Sequence, residues 1–189
     1  MTIYIALLRG INVGGKNRVK MSELRQAMET IGLGRVQTYI QSGNILFESE
    51  EGIESLQNQI KHEIERAFGF SVEIIMRTAE ELERIIECCP FSEDAISEAE
   101  SSSEGESLYV SLLQDVPLEE GINKLSAYKS ENEDFLIDGQ EVYLLFRQSI
   151  RNSKLANNLQ KLGVPSTVRN WKTLNKLAVM ARGMVSAPY

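Results

Sequence analysis

The order in which apolar periodicities follow one another constrains this chain more than any single residue does. Ile3 to Leu8 is an apolar stretch suited to a central strand, and Met21, Leu24, Ala27, Met28 and Ile31 then recur at helical spacing. Val36 to Gln41 and Asn44 to Glu48 read as two strands joined at Ser42-Gly43, where glycine supplies the positive φ a tight turn needs. Ile53, Leu56, Ile60, Ile64 and Ala67 mark a second helix, and Val72 to Met76 a fourth strand. Thr78 and Glu81 form a capping-box pattern that opens one more helix, with Leu82, Ile85 and Ile86 on one side.

The same order then recurs. Ser107 to Leu113 reads as a strand, and Leu118, Ile122 and Leu125 follow Pro117 at helical spacing. Phe135 to Ile137 and Glu141 to Phe146 flank Asp138-Gly139, a strong hairpin signal, so Gly43 and Gly139 take matching places. A helix is expected from about Ser153 to Leu162, then a short strand at Ser166 to Val168 and a last helix whose start Asn170 can cap. Strand, helix, strand, strand, helix, strand is the order of the split βαβ fold, an antiparallel sheet with helices on one face. The expected architecture is therefore α+β, with tandem ferredoxin-like βαββαβ units, each followed by an additional helix. The units span residues 1–89 and 107–189. Between them, residues 90–106 hold six acids, three consecutive serines and no base, and read as an acidic linker or flap.

Charge is segregated along the chain. The formal net charge is -7, yet residues 1–22 carry Arg9, Lys16, Arg18 and Lys20 with no acid. Residues 142–189 carry Arg147, Arg151, Lys154, Lys161, Arg169, Lys172, Lys176 and Arg182, again with no acid. If these ends meet, they create a positive patch on an acidic protein, suited to a phosphate-bearing ligand. Basic solvent faces on the last helices explain the same residues without a ligand. Nucleic acid is the less favoured partner, because a net acidic chain is a poor general polyanion binder. The alternative to a small ligand is an interaction module without catalytic activity, whose exposed sheet or basic terminal helices bind a protein or an RNA segment.

Three segments hold the candidate ligand-binding residues. The loop after the first strand offers Arg9, Gly10, Asn12, Gly14, Gly15, Lys16 and Arg18: its glycines allow successive N–H groups to face an anion, and its cations add charge. It matches neither GxxxxGK[ST] nor GxGxxG, so it does not imply a nucleotide fold. Gln41, Ser42 and Asn44 supply hydrogen-bonding side chains at the first hairpin, although Asn44 also suits a purely structural turn. Thr167, Arg169, Asn170 and Trp171 surround the start of the last helix, where N–H donors attract anions. Alternatively, Asn170 caps that helix and Trp171 fills the core.

Catalytic signals are sparse. His62 is the single histidine, so zinc sites rich in histidine and a Ser-His-Asp triad lack material. Ser42, Ser153 and Thr167 have no evident base beside them, and neither a metal nor a cofactor is expected. Tyr4 and Phe47 are isolated aromatics in their strands, a weak basis for stacking RNA bases. Adjacent Cys88 and Cys89, with no third cysteine, fit a reducing cytoplasm, and no apolar run reaches membrane-span length.

Three motifs in this order carry a resemblance: YIALLRGINVGG at Tyr4 to Gly15, TYIQSGN at Thr38 to Asn44, and TVRNW at Thr167 to Trp171, continuing to Thr173 and Lys176-Leu177. The chain is similar, over essentially all its 189 positions, to an uncharacterised bacterial domain-of-unknown-function family. The resemblance implies a two-part α+β structure with ferredoxin-like elements and supplies no substrate, cofactor or partner. Lys20 stands where family members often have proline, a difference that bears on loop stiffness.

Overall fold

In the computed structural model, which describes residues 1–186, the chain forms two compact units. One comprises residues 1–84 together with 176–186, and the other Ile85–Asn175. The divisions expected at residues 89 and 107 are therefore displaced. The second half of the last helix joins the first unit, where Arg35 donates to the Met184 carbonyl at 2.8 Å and Arg182 pairs with Glu83 at 2.5 Å.

In the first unit, β1 (Thr2–Leu8), β2 (Gly34–Tyr39), β3 (Asn44–Ser49) and β4 (Ile74–Thr78) form an antiparallel sheet in the order β2-β3-β1-β4. Helices α1 (Met21–Thr30) and α2 (Ile53–Phe68) carry Leu24, Met28, Leu56, Ile60 and Ile64 into one core with Tyr4, Ala6, Leu8, Ile45, Phe47, Ile74 and Met76. These strand residues alternate, as a period of two requires. The intervening positions Ile3, Ile5, Leu7, Leu46 and Ile75 are buried as well, so the central strands are apolar on both faces. Tyr4 and Phe47 are not isolated. Their rings lie 5.8 Å apart inside the core, which removes them from any surface for base stacking.

Helix α3 (Ala79–Glu87) begins with the expected reciprocal cap: Thr78 Oγ1 accepts from the Glu81 N–H at 3.1 Å, and Glu81 Oε2 accepts from the Thr78 N–H at 2.8 Å. The acidic stretch 90–106, read as linker or flap, contains a helix, α4 (Glu93–Ser102). Ser92 caps it through the Ala95 N–H, and Ala99, Ala95 and Ile96 join a small core with Phe91, Leu108, Leu145 and Trp171. A narrow apolar stripe, in a segment whose composition looks wholly solvated, is sufficient to dock it.

The second unit repeats the sheet. β5 (Leu108–Leu113), β6 (Glu133–Asp138), β7 (Glu141–Phe146) and β8 (Ser166–Asn170) are antiparallel in the order β6-β7-β5-β8. Helix α5 (Glu119–Ser126) covers it, and α6 (Trp171–Ser186) follows β8. The helix expected at Ser153 to Leu162 is instead a pair of 3-10 segments, Ile150–Asn152 and Ala156–Leu162. Leu155, Leu159 and Leu162 are still buried, but the chain is pressed against α5. A Cβ on Gly121 would lie 2.7 Å from the Leu162 carbonyl oxygen, and the Ser153 hydroxyl accepts from the Ala156 N–H at 2.9 Å. The i to i+3 turns of a 3-10 helix are narrower than α-helical ones and stack side chains three residues apart, which suits a close approach to α5 and keeps Leu159 and Leu162 on one inward side. Gly139 opens its hairpin turn, whereas Gly43 closes its own.

The Ser111 hydroxyl is fully buried on β5 without a partner among the described residues, where β1 has Ala6 at the matching place. Ser111→Ala is expected to be neutral or stabilising by about 1 kcal/mol in urea denaturation, whereas Phe47→Ala should cost about 3–5 kcal/mol. Asp134 forms ion pairs with Lys129 and Arg147, each at 3.0 Å. Burial pushes its carboxyl up, but the hydrogen bonds and charges of Lys129 and Arg147 together outweigh this and hold it below the usual range. Its contribution to stability is present above the unfolded carboxyl value and lost as pH falls through the lower folded one. Asp134→Asn should therefore flatten the fall in melting temperature below about pH 4.

Candidate functional site

Loop 9–20 joins β1 to α1, and its conformation is set by two asparagines. Asn12 and Asn17 adopt positive φ of 54° and 48°, and Gly14 and Gly15 make a turn at 58° and 78° that the Lys16 N–H closes on the Val13 carbonyl at 3.0 Å. Asparagine tolerates this region because its short amide can bond locally. Asn12 uses its whole amide: Nδ2 donates to the carbonyls of Val19 at 3.0 Å and Gln41 at 2.9 Å, and Oδ1 accepts from the Val19 N–H at 2.8 Å. Asn17 Nδ2 donates to the Gly10 carbonyl at 3.2 Å. Asn12 thus braces the loop.

The first hairpin turn, residues 40–43, meets this loop. The Leu8 N–H donates to the Gly43 carbonyl at 2.8 Å, and Gly43 sits against Ile11 with a φ of 79°. Asn44, fully buried, donates to the Tyr39 carbonyl at 2.9 Å and to Ser42 Oγ at 3.0 Å, so it holds the turn. Ile40 adopts a φ of 47° while 45% exposed. A β-branched residue is strained there.

Beside the joined loops lies an open pocket of about 850 Å³, lined by Asn12, Gly15, Arg18, Lys20, Met21 and Gln41 together with Val19, Ser22 and Glu23. Of the expected residues, Asn12, Gly15, Arg18 and Gln41 line it. Arg9, Gly10, Gly14 and Lys16 are exposed on the same loop. Lys20, Met21 and Ser22 were not among the expected site residues. Lys20 precedes α1 without a side-chain cap, which leaves the first-turn N–H groups to other acceptors. The signal for this was the absence of Ser, Thr, Asp or Asn immediately before Met21. Glu23 pairs with Lys20 at 3.2 Å across solvent.

The remaining four residues belong to the second unit and are used there. Arg169 is 7% exposed and donates to Thr167 Oγ1 at 2.8 Å and to the Val168 carbonyl at 2.9 Å. Burial pulls its guanidinium down to about 10. Asn170 Oδ1 caps α6 by accepting from the Thr173 N–H at 2.8 Å, and Trp171 packs with Ala99, Leu108 and Leu145. Capping and core filling account for both. Arg77 on β4 matches Arg169 on β8: each is buried, donates to the carbonyl before it, and stands one residue ahead of a helix cap. His62 is exposed on α2, and burial raises the Cys89 thiol. Among the described residues, no cluster of His, Cys, Asp and Glu is placed to hold a metal, and no helix is long and apolar enough to cross a membrane.

Comparison with known proteins gives a family and a fold. A family model described as "Protein of unknown function (DUF1697)" matches residues 1–143. The solved structure of the conserved bacterial protein SP0830 from Streptococcus pneumoniae is similar, with 28% identity and a TM-score of 0.73, covering 95% of this chain and 98% of that one. No curated protein matches.

The glycines at the corner should respond differently to a methyl group. A Cβ at Gly43 would strike Ile11 Cδ1 and lie 2.9 Å from both Ile11 Cγ1 and Leu8 Cβ, whereas one at Gly14 meets nothing within 4 Å. Gly43→Ala is expected to cost about 2–4 kcal/mol, and Gly14→Ala only the left-handed penalty of about 1–2 kcal/mol, in urea denaturation.

Proposed function

We propose that this chain, which belongs to the DUF1697 family of proteins of unknown function, binds a small anionic, phosphate-bearing ligand at the corner built from loop 9–20 and turn 40–43. One observation carries the proposal. The two sheets have the same strand order, which supports tandem ferredoxin-like units, yet they make the same connections with different lengths of chain. The crossover from central strand to helix uses residues 9–20 in the first unit and only residues 114–118 in the second. The hairpin uses residues 40–43 against 139–140. Neither connection needs its extra residues to complete the fold. In the first unit those extra residues meet each other, border the pocket and bring in its cations.

The chemistry suits an anion. Arg9, Lys16 and Arg18 are exposed and engage no carboxylate among the described residues. The pocket also borders the uncapped start of α1, whose donors favour negative charge. The Lys20–Glu23 pair is a surface contact of little net worth, so a phosphate can displace it. A volume near 850 Å³ is of the size that small-molecule sites occupy. In this proposal the ligand site belongs to the first unit, with Arg18 as principal cation and Asn12 as brace. Two free cysteines support a reducing, cytoplasmic setting.

A thermal-shift screen of the full chain against inorganic phosphate, nucleotides and short oligonucleotides tests this. One phosphate-bearing class should raise the melting temperature by a few degrees at concentrations well above its Kd, and Arg18→Ala should abolish the rise without lowering the ligand-free value. An unchanged melting temperature with every compound, or an equal rise in Arg18→Ala, refutes the proposal.

A further inference from the structure

Strands β2 and β6 occupy the same edge position in their sheets, and the molecule treats the two edges differently. The β2 edge is interrupted. Its register shifts between Gly34 and Gln37, Arg35 adopts a φ of 48°, and the Arg35 guanidinium is drawn to Glu48 at 2.7 Å. Bulges and edge charges of this kind blunt an edge against further pairing. Strand β6 has no such interruption. All six residues pair with β7 in unbroken register, and the strand contains neither proline nor lysine.

Its outward-facing groups follow from the hairpin. A two-residue turn makes Asp138 and Glu141 the closing hydrogen-bonded pair, so the N–H and C=O of Phe135 and Ile137 point away from β7. No acceptor or donor is present for them among the described residues. Each face carries incompletely covered apolar side chains: Phe135 and Ile137 are half-buried on one, and Leu136, between Asp134 and Asp138 on the other, is 47% exposed. The surrounding charge is negative. Two bases, Lys129 and Arg147, stand near Glu131, Glu133, Asp134 and Asp138, and both are held by Asp134, so Glu131 and Asp138 pair with no base among the described residues. Glu133 is 2% exposed, with Oε1 accepting from Gln148 at 2.9 Å and Oε2 without a partner among the described residues.

We propose that β6 is a docking edge for an extended segment of a protein partner, rich in β-branched residues and in lysine or arginine, which adds to the sheet as a fifth strand. Backbone pairing with Phe135 and Ile137 supplies the attachment, and the acidic surroundings select a basic sequence. A second copy of β6 is a poor occupant. In the three antiparallel registers that match the outward groups of Phe135 and Ile137, Asp134 would face Leu136, Asp134 would face Asp138, or Asp138 would face Leu136 of the other copy, so each sets a carboxylate against leucine or against a like charge.

Amide hydrogen exchange on the ¹⁵N-labelled full chain tests the proposal, with the capped peptides KVKVTVK and EVEVTVE as probes. The basic peptide should slow exchange at Phe135 and Ile137 by about tenfold or more near saturation, and the acidic one should not. Leu136→Lys places a charge on the exposed side of the edge without touching the β7 pairing, and it should abolish the protection while the unbound spectrum stays folded. Protection elsewhere, equal protection by both peptides, or retention in Leu136→Lys would overturn the proposal. So would concentration-dependent protection of the same amides in the absence of peptide, which would identify a second copy as the occupant.

Discussion

Strands β1 and β5 are buried along nearly their whole length, and a buried strand must have its backbone polar groups paired on both sides. That requirement organises each unit. β1 is flanked by β3 and β4, and β5 by β7 and β8, so each central strand draws its neighbours from distant parts of the chain. The connections must then cross over one face, where α1 and α2, or α5 and the 3-10 segments, bury their apolar sides. Apolar character on both faces of the strand and full hydrogen bonding along both edges are two expressions of the same exclusion of water.

Once the central strands are satisfied, the elements farther from them are free to differ. The two units keep the strand order and diverge at the periphery: a long asparagine-braced crossover in one, a short one in the other, and a bulged edge at β2 against a regular edge at β6. Asn12 shows how a polar side chain can maintain an irregular loop. Its amide replaces the backbone partners that a strand or helix would have offered, at a corner where the chain runs in the left-handed region. The same satisfaction rule explains the buried arginines. Arg77 and Arg169 lie on strands beside the central one and donate to carbonyls next to them, so their cost of burial is partly offset by local bonds.

Much of the fold was legible in residue order. The alternation of strand and helix periodicities, the Thr78–Glu81 cap, the Asn170 cap and the Gly139 turn are local features, and each is found where its residues stand. The site was legible only in part. The glycine loop and the Gln41 turn do come together, but Thr167, Arg169, Asn170 and Trp171 belong to the other unit and are engaged in it. Charge counting treated all cations alike, and nothing local distinguishes exposed Arg18 from buried Arg169. The 3-10 segments escaped notice for a similar reason: leucine spacing reports which side is buried, whereas the pitch is decided by how closely α5 approaches at Gly121.

By itself, the sequence determined the succession of elements, the position of most turns and caps, and the segregation of charge, because these depend on residues within one or two turns of each other. Tertiary structure alone decided which cations face solvent, that Asn12 ties loop 9–20 to Gln41, that the acidic stretch docks through Ala99, and that one edge is blunted while its counterpart is not. Burial and hydrogen-bond partnership are set by residues far away in the chain, and a linear pattern carries no measure of that distance.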